Sequence, residues 1–288
     1  KKMKYIKYFF QFILIIILFL LFIILGCKKS SAFSGKLFEI VGPLFRSKKI
    51  IQSNIKKVYP EIKPENLNKI TRLMWNNYGR IFSEYMFIKN FRNGKLAKNI
   101  IIDGVEIINQ INLSKKPVIF ISGHFGNFEL MAMQLEKLGI NLSAIYRPLN
   151  NIFLNKIMER IRKKYICKHQ IKKGIGGIKK LIELQKKNYS TALMIDQRVS
   201  EGIYSNFFNE KALTTTIPAQ LVKKFNMPIV PIYIERINNI KFKMTINKPI
   251  NFPKEATTED ITDELNLILE KMVINKPEQW IWSHNRWK

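Results

Sequence analysis

Acidic residues are scarce in this chain, and so are the residues that build disulfide frameworks and metal clusters. The 288 residues include 21 Asp and Glu against 49 Lys and Arg, which gives a formal net charge of +28. The two cysteines, Cys27 and Cys167, are too few for a disulfide framework. The three histidines, His124, His169 and His284, are scattered without ligand spacing, so we expect no metal site.

The excess of positive charge favours anionic partners. Membrane headgroups, phosphorylated substrates, acidic carrier proteins and nucleic acids all carry the required charge. No stretch resembles a recognition helix or a stacking sheet, so we expect no nucleic-acid partner. Hydrophobic residues make up 47% of the chain, which suffices for a substantial core.

A long apolar run lies near the start of the chain. Residues 8–27 carry no charge, and residues 12–25 are all Phe, Ile or Leu. Twenty helical residues span about 30 Å, the hydrocarbon thickness of a bilayer. A permanent anchor and a cleaved signal peptide both fit this run, and lipidation of Cys27 stays open. We prefer an anchor over residues 1–27, because Lys28 and Lys29 follow at once and a basic chain resists translocation.

Residues 28–112 are predicted to form a helical, membrane-proximal part of the catalytic domain. Pro64 suits the first position of a helix. An apolar stripe follows it at helical spacing and is typical of a core-facing helix; its members are Leu67, Ile70, Met74, Tyr78, Ile81, Phe82 and Tyr85. A segment around Ile40 and Leu44, flanked by Lys and Arg, fits a membrane surface as well as a core.

Residues 113–288 are predicted to form the core domain. Short apolar runs alternate there with helical patterns, which predicts an α/β fold with a mostly parallel central sheet flanked by helices. The predicted strands are 118–122, 142–146, 191–195, 229–235 and 241–246. The predicted helices are 128–138, 150–164, 177–187, 218–225 and 258–274. Residues 199–216 are expected to form a loop.

A histidine and a carboxylate, His124 and Glu129, lie where the first predicted strand ends and the next helix begins. Ligands bind at this edge of open α/β sheets. An imidazole can take the proton of an attacking hydroxyl, and a carboxylate on its other nitrogen stabilises the imidazolium. We therefore predict that His124 is a general base and that Glu129 holds and polarises its ring. On spacing alone, a solvated turn histidine beside a helix-start glutamate fits equally well.

Four motifs stand in a recognisable order. They are GHFGNFE at 123–129, YRP at 146–148, DQR at 196–198 and PEQWIWSHNR at 277–286. In order and distance they resemble the lipid A biosynthesis acyltransferases of the late, lauroyl/myristoyl type, which use a His-x4-Glu motif. The resemblance runs from about residue 35 to the C-terminus and includes the preceding hydrophobic anchor.

The resemblance implies a membrane-bound enzyme that needs neither cofactor nor metal. Its donor would be acyl carrier protein, and its acceptor a hydroxyl of a 3-hydroxyacyl chain on the phosphorylated lipid A precursor. The catalytic domain would lie on the cytoplasmic side of the inner membrane, held by a single-pass helix. A different glycolipid or glycerophospholipid acceptor would keep the same motif. A basic, membrane-tethered binding protein is an alternative of another class.

Five further residues are expected to bind substrate. Arg147 follows the second predicted strand, where a guanidinium suits a phosphate or an oxyanion. Arg162 matches a position that the resembling family uses for substrate or catalysis. Asp196 and Gln197 end the third predicted strand, and the resemblance makes Asp196 a binding or support residue with an arginine as its candidate partner. Asn127 lies in the histidine turn itself.

Overall fold

Seven strands form one central, mostly parallel sheet in the computed structural model, which confirms the predicted fold class. The model describes residues 2–288, with the side chains of Lys2 and Ile175 left out. In chain order the strands are β1 Ile100–Asp103, β2 Ile119–Ser122, β3 Leu142–Tyr146, β4 His169–Lys172, β5 Ser190–Met194, β6 Ile203–Phe207, β7 Glu210–Thr214, β8 Ile229–Asn238 and β9 Lys241–Ile246. The sheet order is β1-β9-β8-β2-β5-β3-β4, and β6 pairs with β7 in a separate hairpin.

Helices cover both faces of this sheet. In chain order they are α1 Lys2–Phe45, α2 Lys48–Val58, α3 Pro64–Glu84, α4 Ile88–Asn93, α5 Val105–Ser114, α6 Glu129–Lys137, α7 Ile152–Tyr165, α8 Ile175–Gln185, α9 Ile217–Phe225 and α10 Thr258–Asn275. Helix α1 is kinked at Gly26, whose φ of 74° lies in the left-handed region. The kink divides the apolar first part of α1 from a second part that packs on α3.

Alternate residues of β2 point into two separate cores. Ile119 and Ile121 belong to the core beneath α8, α9 and α10, while Phe120 belongs to the core beneath α5 and α6. All four residues of β2 are buried. A central parallel strand covered on both faces accounts for its unbroken apolar sequence.

Some strands were missed at the sequence level. Strands β1 and β4 lie at the two edges of the sheet. Each has four residues, of which none is fully buried in β1 and one in β4, and this leaves too little pattern to detect. The expected loop at 199–216 is wrong, because this segment contains the β6–β7 hairpin. Its turn residues, Phe208 and Asn209, have φ values of 54° and 58°. A Phe-Asn turn lacks the usual Asn-Gly signal, so the hairpin was not recognised.

The second part of α1 crosses α3 very closely. A Cβ built on Gly79 of α3 would lie 2.1 Å from the carbonyl oxygen of Ser34, and a Cβ on Gly42 would lie 2.4 Å from the Trp75 ring. Only glycine allows this separation of the two backbones. Because α3 carries the buried stripe that includes Leu67 and Met74, the crossing joins the continuation of the anchor to the core.

We predict that Gly79→Ala lowers the thermal unfolding midpoint of the detergent-solubilised protein. The added methyl group forces α1 away from α3, and overpacking of this kind costs about 1–3 kcal/mol. Gly176→Ala in α8 is the matched control, since a Cβ at Gly176 meets nothing within 4 Å. An equal midpoint for both variants would show that α1 and α3 are not packed this closely.

Candidate active site

The pairing of β2 with β5 brings a histidine and an aspartate together. Ser122 is the register partner of Met194, so the two strands end side by side. His124 and Asp196 each lie two residues beyond the end of their own strand. Nδ1 of His124 lies 2.8 Å from Oδ1 of Asp196, and the backbone N–H of His124 donates to Oδ2 at 2.8 Å. Trp280 donates its indole N–H to the same Oδ2 at 3.0 Å.

The turn that carries His124 depends on two glycines. Gly126 has a φ of 49°, and a Cβ there would lie 2.9 Å from the carbonyl oxygen of Ile234. A Cβ on Gly123 would lie 2.7 Å from the Phe125 ring and 3.1 Å from Cβ of Asp196. The missing side chains therefore let the turn approach both Asp196 and β8.

The carboxylate of Asp196 makes the His124 imidazole more basic. The side chain of Asp196 is 0% exposed and that of His124 is 19% exposed. Burial by itself lowers the pKa of His124, but the charge and hydrogen bond of Asp196 outweigh it and raise that pKa above its usual value. Burial likewise raises the pKa of Asp196, yet His124 brings it below its usual value. Asp196 therefore stays ionised beside the ring.

The expected contact between Glu129 and the His124 ring is replaced by one between Asp196 and that ring. Glu129 opens α6, and its Oε1 accepts hydrogen bonds from Nε of Arg162 at 3.1 Å and from Nη2 of the same guanidinium. The physical reason is sheet adjacency, because β5 ends directly beside the histidine turn whereas Glu129 faces α7. Asp196 likewise pairs with a histidine and an indole, where an arginine had been suggested.

Arg162 and Glu129 nevertheless lie close enough to affect His124. The negative charge of Glu129 raises the pKa of His124, and the positive charge of Arg162 lowers it. Burial lowers the pKa of Arg162, but Glu129 and the nearby Tyr85 raise it well above its usual value. The guanidinium also lies over the Tyr146 ring, 5.7 Å from its centroid. A fixed, fully charged guanidinium thus lies beside His124.

Two predicted binding residues, Arg147 and Gln197, lie at the same sheet edge and make fewer contacts than His124 and Asp196 do. Arg147 directly follows β3 and is exposed. Gln197 follows Asp196 and is half-buried. Among residues 2–288, no group of three or more His, Cys, Asp or Glu side chains is arranged to hold a metal ion.

Asn127 belongs to a buried network that the sequence did not suggest. Its Nδ2 donates to Oε2 of Glu84 at 2.9 Å, and Arg236 donates to both oxygens of Glu84 at 2.5 and 3.0 Å. Ser31, in the second part of α1, donates to Oε1 of Glu84 at 2.7 Å. Glu84 is 0% exposed. The one sequence signal for Glu84 was an acid inside an apolar helical stripe.

His284 lies near the pair of His124 and Asp196 without joining it. Burial lowers its pKa to about 4, so the ring is neutral. Its Nδ1 is buried and has no hydrogen-bond partner in the described part of the chain. The backbone oxygen of His284 accepts a hydrogen bond from Asn54 of α2, which also donates to the backbone oxygen of Trp282. These bonds hold the segment that carries Trp280.

An apolar groove of about 900 Å³ lies between the α2–α3 connection and the segment before Trp280. Its lining includes Tyr59, Ile62, Ile70 and Leu73. None of the predicted site residues lines it.

An oriented imidazole at the carboxyl edge of a parallel sheet, with an arginine beside it, is typical of enzymes that activate a hydroxyl group by general-base catalysis. Comparison with known families specifies the reaction. The family model described as bacterial lipid A biosynthesis acyltransferase matches residues 1–288, and the chain belongs to this family. It is therefore an acyltransferase of lipid A biosynthesis.

Individual relatives are distant but cover much of the chain. A lipid A biosynthesis lauroyltransferase of Escherichia coli (strain K12) is 24% identical over 250 residues, which cover 84% of this chain and 79% of the relative. The lipid A biosynthesis palmitoleoyltransferase of the same organism is 19% identical over 250 residues, covering 85% and 80%. Lipid A biosynthesis acyltransferase 2 of Shigella flexneri is 24% identical over 196 residues, covering 65% of this chain and 60% of the relative.

We predict that Asp196→Asn lowers kcat by about 10²–10⁴-fold while the protein stays folded. The asparagine oxygen can still accept from the His124 backbone and from Trp280, but its NH₂ group then faces Nδ1 of His124. The imidazole is thereby driven into the tautomer with its proton on Nε2, which cannot act as a base. Because the carboxylate also raises the pKa of His124, any residual activity should persist to lower pH than in the wild type.

The pH dependence of kcat/KM measures this effect directly. Asp263→Asn is the control, since Asp263 accepts a hydrogen bond from Ser205 on the β6–β7 side of the fold. If Asp196→Asn keeps wild-type activity at every pH, Asp196 does not set the tautomer of His124.

We also predict that Glu84→Gln destabilises the protein by about 3–5 kcal/mol, because it leaves the buried guanidinium of Arg236 without its counter-charge. Thermal unfolding in detergent measures the loss. Glu183→Gln is the control, as its ion pair with Lys180 is exposed at the surface of α8. Equal midpoints for the two variants would contradict a buried role for Glu84.

Proposed function

We propose that this acyltransferase moves a fatty acyl chain from acyl carrier protein to the hydroxyl of a 3-hydroxyacyl chain on a lipid A precursor. The observation that carries the proposal is the 2.8 Å contact between His124 and Asp196, which brings together the motifs at 123–129 and 196–198. Nε2 of His124 has no hydrogen-bond partner among the described residues, which leaves it available to a substrate hydroxyl.

The proposed reaction is a direct acyl transfer. Nε2 of His124 takes the proton of the acceptor hydroxyl as its oxygen attacks the thioester carbon. The new C–O bond forms, and the carbonyl oxygen becomes an oxyanion. When the C–S bond breaks, the leaving thiolate takes the proton back from the imidazolium. Acyl ester and free thiol are the products, so no cofactor or metal takes part.

Asp196 and Glu129 have different parts in this proposal. Asp196 orients the ring and stabilises the imidazolium by direct contact. Glu129 also supports catalysis, because it holds Arg162 in place and adds negative charge near the imidazolium. Arg162 is the guanidinium best placed to stabilise the oxyanion.

The remaining site residues are assigned by position. Arg147 and Gln197 follow β3 and β5, so they lie at the edge where the phosphorylated acceptor would approach. Asn127 is buried against Glu84 and supports the histidine turn from within. The net charge of +28 suits an acidic carrier protein and an anionic membrane surface.

We assign the apolar first part of α1 as a single-pass anchor in the inner membrane. Its 18-residue window has a mean hydropathy of 3.1 and is only 11% buried, which is unlike the core helix of a soluble protein. The catalytic domain is placed on the cytoplasmic side, because the acyl carrier donor is found there.

The proposal is tested by assaying purified protein with acyl carrier donors of several chain lengths and the lipid A precursor. We expect His124→Ala to lower acyl transfer by at least about 10²-fold, since the proton acceptor is lost. His169→Ala is the matched control. His169 is the first residue of the parallel strand β4 and so lies at the amino ends of the strands, whereas His124 lies at their carboxyl ends. Wild-type activity of His124→Ala would end the mechanism.

The same assay separates the alternatives. Mass spectrometry of the products identifies whether lipid A precursor, another glycolipid or a glycerophospholipid gains the acyl chain. A chain that transfers no acyl group but binds DNA or RNA with strong salt dependence would instead be a basic, membrane-tethered binding protein.

A further inference from the structure

One face of the anchor packs along the catalytic domain. Phe19 and Phe22 are buried against Phe82 of α3, at ring-centroid distances of 5.1 and 6.0 Å. Cys27 is buried in the core beneath α5 and α6. The contacted residues recur at helical spacing, so the anchor does not stand clear of the domain as an isolated rod.

The start of α7 contacts the other end of the anchor. Nδ2 of Asn151, the residue before α7, donates to the backbone oxygen of Tyr8 at 2.8 Å. The Phe153 ring lies 5.9 Å from the Phe9 ring and 5.8 Å from the Phe12 ring. These three contacts fix one turn of α7 against the N-terminal third of the apolar run.

The depth of this contact follows from helix geometry. Fifteen helical residues separate Phe12 from Cys27, which corresponds to about 22 Å along the helix axis. A bilayer core is about 30 Å thick. If the anchor lies in lipid, the first turn of α7 therefore lies well away from the Cys27 end and beside the first residues of the apolar run.

We propose that residues 148–155, which contain the first turn of α7, are immersed in lipid beside the anchor. This lipid-facing turn rests on the proposed membrane anchoring. Its sequence, PLNNIFLN, contains no charged residue. Leu149 and Ile152 are 38% and 42% exposed, and they continue the exposed apolar face formed by Phe9, Phe10 and Ile13 of the anchor.

Part of the backbone of the lipid-facing turn is hydrogen-bonded within the protein. Hydrocarbon offers no hydrogen bonds, so every backbone group at that depth needs a partner within the protein. Oδ1 of Asn151 accepts from the backbone N–H groups of Phe153 and Leu154, at 3.1 and 3.3 Å. The N–H of Leu149 donates to Oδ1 of Asn155 at 2.9 Å. Three backbone donors around this helix start, those of Leu149, Phe153 and Leu154, are thus paired with side chains of the same segment.

Charges begin where the lipid-facing turn ends. Exposed basic residues follow along α7, and they are Lys156, Arg160, Lys163 and Lys164. Their long stems can lie on apolar surface while their charges reach anionic headgroups. An apolar turn followed by exposed basic residues matches the hydrocarbon and headgroup layers of a bilayer. A water-soluble protein partner would not account for the continuity of the apolar surface with the anchor.

The arrangement has a consequence for the reaction. Arg162 lies ten residues after Ile152 on the same helix, about 15 Å along its axis. The ion pair of Arg162 and Glu129 therefore lies close to the lipid-facing turn. The acyl chains of the acceptor can then stay in the bilayer while its hydroxyl reaches His124.

Site-directed spin labelling tests the inference. Ile152→Cys and, separately, Leu149→Cys carry a nitroxide in full-length protein in vesicles of phosphatidylethanolamine and phosphatidylglycerol. Oxygen concentrates in hydrocarbon and a nickel chelate in water, so power saturation with each reports depth. The native cysteines are buried, and the unsubstituted protein measures any background labelling. Leu267→Cys on α10 is the matched control, because Leu267 is 50% exposed on the other face of the sheet.

We expect the labels at 149 and 152 to be severalfold more accessible to oxygen relative to nickel than the label at 267. Equal preference for nickel at all three positions would overturn the inference. Transfer activity of each labelled protein is measured in the same vesicles. If the protein is active but its labels are exposed to water, the inference about the lipid-facing turn is wrong and the proposed function stands. If the labels are buried in lipid but the wild-type protein transfers no acyl group, the proposed function is wrong and the inference about the turn stands.

Discussion

The parallel pairing of β2 with β5 is the constraint on which the site depends. It aligns two strands so that the residues just beyond their ends, His124 and Asp196, face each other at 2.8 Å. Neither residue needs an unusual local conformation to meet the other, because the shared register does the positioning. The glycines of the turn then allow the approach that the register demands.

Each buried acid near the site has its own cationic or histidine partner. Asp196 is paired with His124, Glu129 with Arg162 and Glu84 with Arg236. Buried carboxylates are costly unless they are paired and hydrogen-bonded in this way. The three pairs lie on different elements, so the charges that shape the site also join β5, α7 and α3 to the histidine turn.

The network around Glu84 links the long N-terminal helix α1 to the turn that carries His124. Ser31 follows the kink of α1, Glu84 ends α3, and Asn127 lies in the turn that carries His124. Together with the contact of Tyr8 with Asn151, it ties both parts of α1 to elements that bear site residues. Helix α1 is thus built into the enzyme's structure along its length, which suits an enzyme whose acceptor is itself a lipid.

Much of the fold could be read from residue patterns. The apolar anchor and the buried strands have strong local signals, because burial on both faces or in lipid requires unbroken apolar runs. The edge strands β1 and β4 and the β6–β7 hairpin lacked such signals, since few of their residues are buried or their turn residues are unusual.

The sequence by itself determined which residue types supply the candidate site, including His124, Glu129, Arg162 and Asp196. Only the tertiary structure decided how they pair. A partner 72 residues away reaches His124 because β5 lies next to β2, whereas Glu129, five residues away, is turned towards α7. Strand order and helix packing are properties of the whole chain, and no local spacing encodes them.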